Sequence, residues 1–396
     1  MNLLLKFNVA YSNLTDKWLP LWLDKFIDHN AGGFFERLDS DCRALDMGYR
    51  RLLTQCRQMY VFSHAYRLTT NKDFLIAAQK GYALINDAFR AVNGDGFHFS
   101  ITADGSIHDI TYDLYGHAFV LFSLAHYYEA SKDITAIALA KRTLEFINSH
   151  FKVAAQNGYH EALAYNLDPI IKVRRQNPHM HLFEGCLAMY SITQDKDYLS
   201  TADDILNLFQ QHFFDENTAT LGEFFDENLS SHASFGHIIE PGHHFEWVWL
   251  LYKRLSITAS LVESEKIKLI MNKLFYWARH NGIDSSYGGI YNEVDRNGVL
   301  LNANKRIWIL TEAIKAYSVM LLYDTNMYET LNKELSNLFD IFTTHYMNHD
   351  GTWIEICNRD LSPQTDYLPG STTYHIFSGI VEAYSLLNLQ AENCNP

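Results

Sequence analysis

Proline is scarce in this chain, with 7 among 396 residues, so little in the sequence interrupts long helices. Cysteine is equally thin. Cys42, Cys56, Cys186, Cys357 and Cys394 are an odd set, far apart and without a C-x-x-C pair. That excludes a disulfide framework or a zinc knuckle and points to reduced thiols in a cytoplasmic protein. No basic run occurs, and 32 Lys and Arg stand against 46 Asp and Glu for a formal net charge of −14. Nucleic acid and anionic membranes, which need a patch of cations to neutralise phosphate, are therefore poor partners. Apolar stretches such as 247–252 are far too short to span a bilayer, and residues 1–10 carry no cleavage-site pattern, so neither an anchor nor a secretory leader is expected. Gly-rich phosphate loops, G-x-S-x-G elbows and H-E-x-x-H zinc motifs are missing as well.

What the chain does have is a repeat. A glycine followed within two residues by a bulky side chain recurs at Gly33, Gly96, Gly158, Gly222, Gly289 and Gly351, with spacings of 63, 62, 64, 67 and 62. An acidic residue follows in each unit (Asp39, Asp104, Asp168, Asp226, Asp295, Asp360), in places with clear turn chemistry such as Asp104-Gly105. Between the glycines the apolar period is helical: Leu75, Ala78, Tyr82 and Ile85, then Ala118, Leu121, Phe122 and Ala125. The segments just after Gly33 and Gly289 alternate like short hairpins. Each unit reads as helix, hairpin, helix. Six such units predict an all-α fold, an (α/α)6 barrel of six helical hairpins with short β-hairpin loops. It forms one domain over residues 1–396; an open solenoid is the alternative.

Counted from its glycine, every unit places a polar side chain 21 to 24 residues downstream: Arg57, His117, His181, Glu246, Glu312 and His375. In a closed barrel these converge on one axis, and burying so many ionisable groups together is costly unless they are hydrated or used. His243 with Glu246, and His181 with Glu184, are spaced i,i+3 and share helix faces. Pro178, Pro241 and the 371–373 hydroxyl cluster mark helix starts beside these residues, where the helix dipole favours neutral imidazole. His179 with His181, and His243 with His244, invite a metal reading. Without an H-E-x-x-H pattern, and with adjacent helical residues pointing apart, no metal is expected.

At these residues the sequence resembles the N-acylglucosamine 2-epimerase superfamily, in its aldose–ketose isomerase branch. The motifs that carry the resemblance are Gln55-Cys56-Arg57, Asp113-Leu114-Tyr115-Gly116-His117, Asn177-Pro178-His179-Met180-His181, Glu240-Pro241-Gly242-His243 with Glu246-Trp247, Trp308 with Glu312, and Tyr374-His375. They span nearly the whole chain, and the N-P-H-M-H and E-P-G-H-x-x-E-W strings are nearer those of D-mannose isomerases than those of acylglucosamine epimerases. The resemblance implies an (α/α)6 barrel, no metal or other cofactor, a monosaccharide substrate, and isomerisation at C1/C2 of a free sugar such as mannose or lyxose. It assigns His375 to the C2/C1 proton shuttle, and His243, oriented by Glu246, to ring opening, with the exchange of these two roles left open. Arg57 takes the enediolate charge, while Tyr115, Asn177, His181, Trp308, Glu312 and His117 contact substrate. A 2-epimerase is the main alternative, since the same groups serve both outcomes. A glycoside hydrolase using Glu246 and Glu312 and a sugar-binding barrel follow. A monomer and a homodimer are both open.

Overall fold

A computed structural model describes residues 2–394 except 92, 93, 95, 154–157, 171, 258 and 259, with the side chains of 393 and 394, and so the Cys394 thiol, outside it. Among these residues thirteen helices dominate: α1 (Leu3–Asn13), α2 (Leu19–Phe26), α3 (Leu52–Thr69), α4 (Lys72–Leu84), α5 (Leu114–Ser131), α6 (Ile134–Phe146), α7 (Gln176–Thr193), α8 (Lys196–Leu208), α9 (Pro241–Leu255), α10 (Leu261–Asn281), α11 (Ile307–Tyr323), α12 (Tyr328–Ile341) and α13 (Thr373–Cys394). A π-turn, Leu14–Trp18, joins α1 to α2, so the two act as one outer helix.

The helices sort into two rings by their burial. In α3, α5, α7, α9, α11 and α13 apolar and polar residues alike are buried round most of the circumference, and each packs on the next to form the inner ring. The outer helices bury one face only; α8 buries Tyr198, Thr201, Ala202, Ile205, Leu206 and Leu208 and turns its other residues toward solvent. Close approach in the inner ring needs small residues. A Cβ on Gly185 of α7 would sit 2.8 Å from the Ala118 carbonyl of α5. Four outer helices, α4, α6, α8 and α12, end in a five-residue π-turn whose last residue (Phe89, Phe151, Phe213, Tyr346) turns into the core.

The expected hairpins are present, but they also stitch neighbouring units together. The strand before each inner helix pairs with the hairpin of the following unit: Arg50–Arg51 with His98–Ile101, Arg174–Arg175 with Phe224–Phe225, and Lys305–Arg306 with Ile356–Cys357. The last such strand, Tyr367–Pro369, pairs with Arg37–Asp39 of the first unit, while α13 packs on α1 and α3. That closure makes the ring an (α/α)6 barrel and disposes of the open solenoid. The repeated aspartates hold turns: Asp39, Asp104, Asp226, Asp295 and Asp360 each accept backbone N–H bonds from residues two to four positions on. Among the described residues no helix is long and apolar enough to cross a membrane, and Cys42, Cys56, Cys186 and Cys357 are free thiols.

Candidate active site

The inner helices all begin at the same end of the barrel, and a cavity of about 430 Å³ opens there. Arg57, Tyr115, Asn177, His181, His243, Glu246, Trp308 and His375 line it, so eight of the ten residues singled out from sequence meet in one place.

Helix register explains the two that do not. The sixth residues of the first five inner helices are Arg57, Phe119, His181, Glu246 and Glu312, and His375 is sixth if the 3-10 turn Gly370–Thr372 is counted with α13. Counting from the glycine therefore slipped by two at His117. The lumen position on α5 is Phe119, whose ring lies 4.4 Å below the Arg57 guanidinium. His117 is instead the fourth residue of its helix and is structural. Its Nε2 accepts from Phe97 N–H at 3.0 Å, so Nδ1–H donates to the Asp113 carbonyl at 2.7 Å. His179 and His244 repeat that arrangement on Tyr159 and Leu221, and Gln55 does the same job on Phe34. Burial lowers all three imidazoles far below their ordinary pKa, His117 to about 4 and His179 and His244 to about 3, so each stays neutral.

Glu312 is the second exception. It is fully buried beneath the cavity; Oε1 accepts from His375 Nδ1–H at 2.9 Å, and Oε2 lies 2.7 Å from the Lys315 ammonium. It holds His375 instead of a substrate hydroxyl. Two further pairs follow the same plan. His181 Nδ1 bonds Glu184 Oε2 at 2.9 Å, as the i,i+3 spacing suggested, and Tyr374 OH donates to the other oxygen. His243 Nδ1 bonds Glu223 Oε2 at 2.9 Å, with Glu240 at 3.7 Å. This corrects the pairing of His243 with Glu246, which lies 3.6 Å from His181 Nε2. Gln176, itself bonded to Trp247, steadies Glu223. Sequence reading missed Glu223 because it sits in the hairpin after Gly222, twenty residues before its partner. In all three pairs Nδ1 is committed to a carboxylate, which leaves Nε2 for the cavity.

The pairs do not carry the same charge. Burial lowers His243, but the carboxylates of Glu223 and Glu240 outweigh it and lift the imidazole to about 10. At neutral pH it is a cation, against the expectation that the helix dipole would keep it neutral; two carboxylates at close range exceed a terminal dipole. Asn177 places its amide nitrogen 3.2 Å from His243 Nε2 with Oδ1 unpartnered, and a half-turn of the amide gives the charged Nε2–H its acceptor. His375 goes the other way: burial first, then the charges of Arg57 and Lys315, push it well below its ordinary value. Trp308 lies between the two rings, 5.1 Å from His243 and 5.7 Å from His375 by centroids. Gly242 makes room for it, since a Cβ there would meet the indole at 2.6 Å.

Arg57 lies across the third side. Its guanidinium donates to Tyr115 OH at 2.8 Å and to the Ser371 carbonyl at 3.3 Å, faces the Tyr374 ring, and pairs with no carboxylate among the described residues. The rim adds residues the sequence did not flag: Arg51, Arg175 and Arg306 immediately precede inner helices and pair with Glu36, Glu161 and Glu355, while Arg37 lies over Tyr367. Two trios, Glu223 with Glu240 and His243, and Glu246 with Glu312 and His375, have ligand atoms close enough to suit a cation. In each trio the imidazole gives Nδ1–H to a carboxylate of the same trio and keeps Nε2 open, and Lys315 lies against the second oxygen of Glu312.

The sequence matches the N-acylglucosamine 2-epimerase (GlcNAc 2-epimerase) family over residues 33–379. A "Mannose-6-phosphate isomerase" of Rhizobium meliloti is 28% identical over 382 residues, covering 93% of this chain and 94% of the relative. A "D-mannose isomerase" of Marinomonas mediterranea is 23% identical over 388 residues, covering 94% and 96%. The solved cellobiose 2-epimerase of Bacillus thermoamylovorans superposes with a TM-score of 0.88 at 20% identity, covering 96% of this chain and 98% of that one, and so shares the fold. With a match that runs from the first repeat glycine to the last inner helix, the chain belongs to the N-acylglucosamine 2-epimerase family, a family of sugar epimerases and isomerases.

Proposed function

We propose that this chain is an aldose–ketose isomerase that interconverts D-mannose and D-fructose, and D-lyxose and D-xylulose, by metal-independent proton transfer. The whole chain works as one catalytic domain in the cytoplasm. The observation that carries the reading is the pair of imidazoles on either side of Trp308, one held as a cation by Glu223 and Glu240 and the other kept neutral. An acid and a base of opposite charge state within one sugar's width is what ring opening followed by enolisation needs.

His243 delivers its Nε2 proton to the ring oxygen and takes the anomeric hydroxyl proton in return, which opens the pyranose. His375 Nε2 then removes the C2 proton. The resulting cis-enediolate keeps its negative charge on O1, beside the Arg57 guanidinium, whose charge needs no reorganisation to meet it. His243 gives O1 a proton and recovers one from O2, and His375 returns its proton to C1. No proton is gained or lost overall. Tyr115, Asn177, His181, Glu246 and Trp308 hold the hydroxyls and the ring face.

Delivery to the opposite face of C2 would give a 2-epimer instead, and the relatives bear both kinds of name. One imidazole in the base form and one in the acid form serve either outcome; the isomerase reading is favoured by relatives that align over more than 90% of both chains and bear isomerase names. A glycosidase needs a free carboxylate pair, and Glu312 is tied to His375 and Lys315. The test is to incubate the protein with D-mannose and identify the product. Fructose supports the isomerase, glucose replaces it with an epimerase, and an unchanged sugar sinks both.

A further inference from the structure

Lys315 is buried to 1% exposure on α11 one turn beyond Glu312, and the site as described gives it no task of its own. It faces three carboxylates that reach under the cavity from three helices: Glu312 beside it, Glu246 on α9 and Glu184 on α7. Each of these touches or approaches a site histidine, Glu312 holding His375, Glu184 holding His181, and Glu246 standing near both. One ammonium thus balances the acidic floor of the site. Behind it, toward the other end of the barrel, lies a second cavity of about 220 Å³ whose wall includes Lys315, Glu184, Trp249, Ser378 and Glu382. The Lys315 side chain therefore also borders the space on the side opposite the sugar.

We propose that Lys315 is a positioning residue for His375 that acts through Glu312. Its charge satisfies the carboxylate oxygen turned away from the imidazole, so that Glu312 holds Nδ1–H without drawing a second proton onto the ring, and Nε2 keeps its lone pair for the carbon-bound proton. The proposed function is needed only to say which proton Nε2 takes. The other charged and titratable groups facing His375 are Arg57 from α3, His181 and Glu184 from α7, and Glu246 from α9, with Tyr374 on its own helix; none of them touches the distal oxygen of Glu312. A merely structural lysine would neutralise the cluster without setting the state of His375.

The experiment labels the full-length protein with ¹³Cε1-histidine and follows the His375 resonance, identified by its loss in His375→Gln, against pH without substrate. Lys315→Met is expected to raise the His375 midpoint by about one pH unit, since an imidazolium no longer faces that ammonium and Glu312 is free to draw the proton. Should Lys315→Met not fold, judged by the lost dispersion of the His117 and His179 signals, Lys315→Gln keeps a donor against Glu312 and is read the same way. In Lys315→Ala, kcat falls about tenfold with KM nearly constant, and methylammonium entering the second cavity restores it saturably. An unmoved midpoint in a folded variant, or a Lys315→Ala loss that falls on KM and ignores the amine, overturns the proposal. Because the midpoint is read without sugar, a protein that turned over no aldose would sink the proposed function and leave this result standing.

Discussion

His243 Nδ1 lies 2.9 Å from Glu223 Oε2, and this contact, made across twenty residues of sequence, sets the charge of the imidazole. Glu223→Gln removes one of the carboxylates that lift it and leaves Glu240, 3.7 Å away, to hold it alone. We expect kcat to fall by about 10²-fold, the value of one general-acid step, while the alkaline limb of the kcat profile moves to lower pH. A pH–rate profile of the variant checks this; an unshifted limb contradicts it.

Stability should follow the same charge. The folded pKa of His243, about 10, lies above an unfolded value near 6.5, so the native state binds the extra proton. That contribution is complete below about pH 6.5 and is lost as pH rises through about 10. His117, His179, His244 and His375 are depressed in the fold, so their contribution is present above about pH 6.5 and lost on acidification. Thermal melts from pH 4 to pH 10, conditions we choose, should show Tm falling on both sides, and the alkaline fall should shrink in Glu223→Gln.

His117 is expected to behave as part of the scaffold. His117→Gln reproduces the side chain that Gln55 uses in the first unit, so kcat/KM should stay within about threefold and Tm should drop only slightly. His117→Leu leaves Phe97 N–H and the Asp113 carbonyl without their partner and should cost about 2–4 kcal/mol on denaturant titration. A large kcat loss in a stable His117→Gln would return this residue to the site.

His375→Gln should bind D-mannose, measured by calorimetry, yet turn over at least about 10³-fold more slowly, because the lumen still holds Arg57, Trp308 and Asn177. Undiminished ketose formation would refute the assignment. Exhaustive chelation of the wild type should leave activity unchanged; loss that an added divalent metal restores would instead put a cation between the Glu246, Glu312 and His375 side chains.

The repeat made the barrel legible, because six glycines at nearly even spacing mark six equivalent hairpins. The converging side chains were legible for the same reason, as equivalent positions in a closed ring share one axis. What failed was phase. Each glycine stands 18 or 19 residues before its helix, so the lumen position after Gly96 falls on Phe119; accepting any polar side chain 21 to 24 residues on stopped the count two short, at His117. Partner choice was the other blind spot. An i,i+3 spacing puts His243 and Glu246 on one helix but says nothing of a hairpin carboxylate such as Glu223, which tertiary packing brings closer. Lys315 was invisible for a related reason: a lone lysine on a helix reads as solvated until the structure buries it.

The measurement that bears most directly on the account is the reaction of D-mannose in D2O, followed by ¹H and ¹³C NMR. Proton transfer by an imidazole that exchanges with solvent predicts D-fructose carrying deuterium at C1, with label also entering C2 of the remaining mannose. Fructose with little label would mean only that His375 returns the proton before it exchanges; mannose that yields no fructose and takes up no deuterium at C2 would contradict the roles given to His375 and His243.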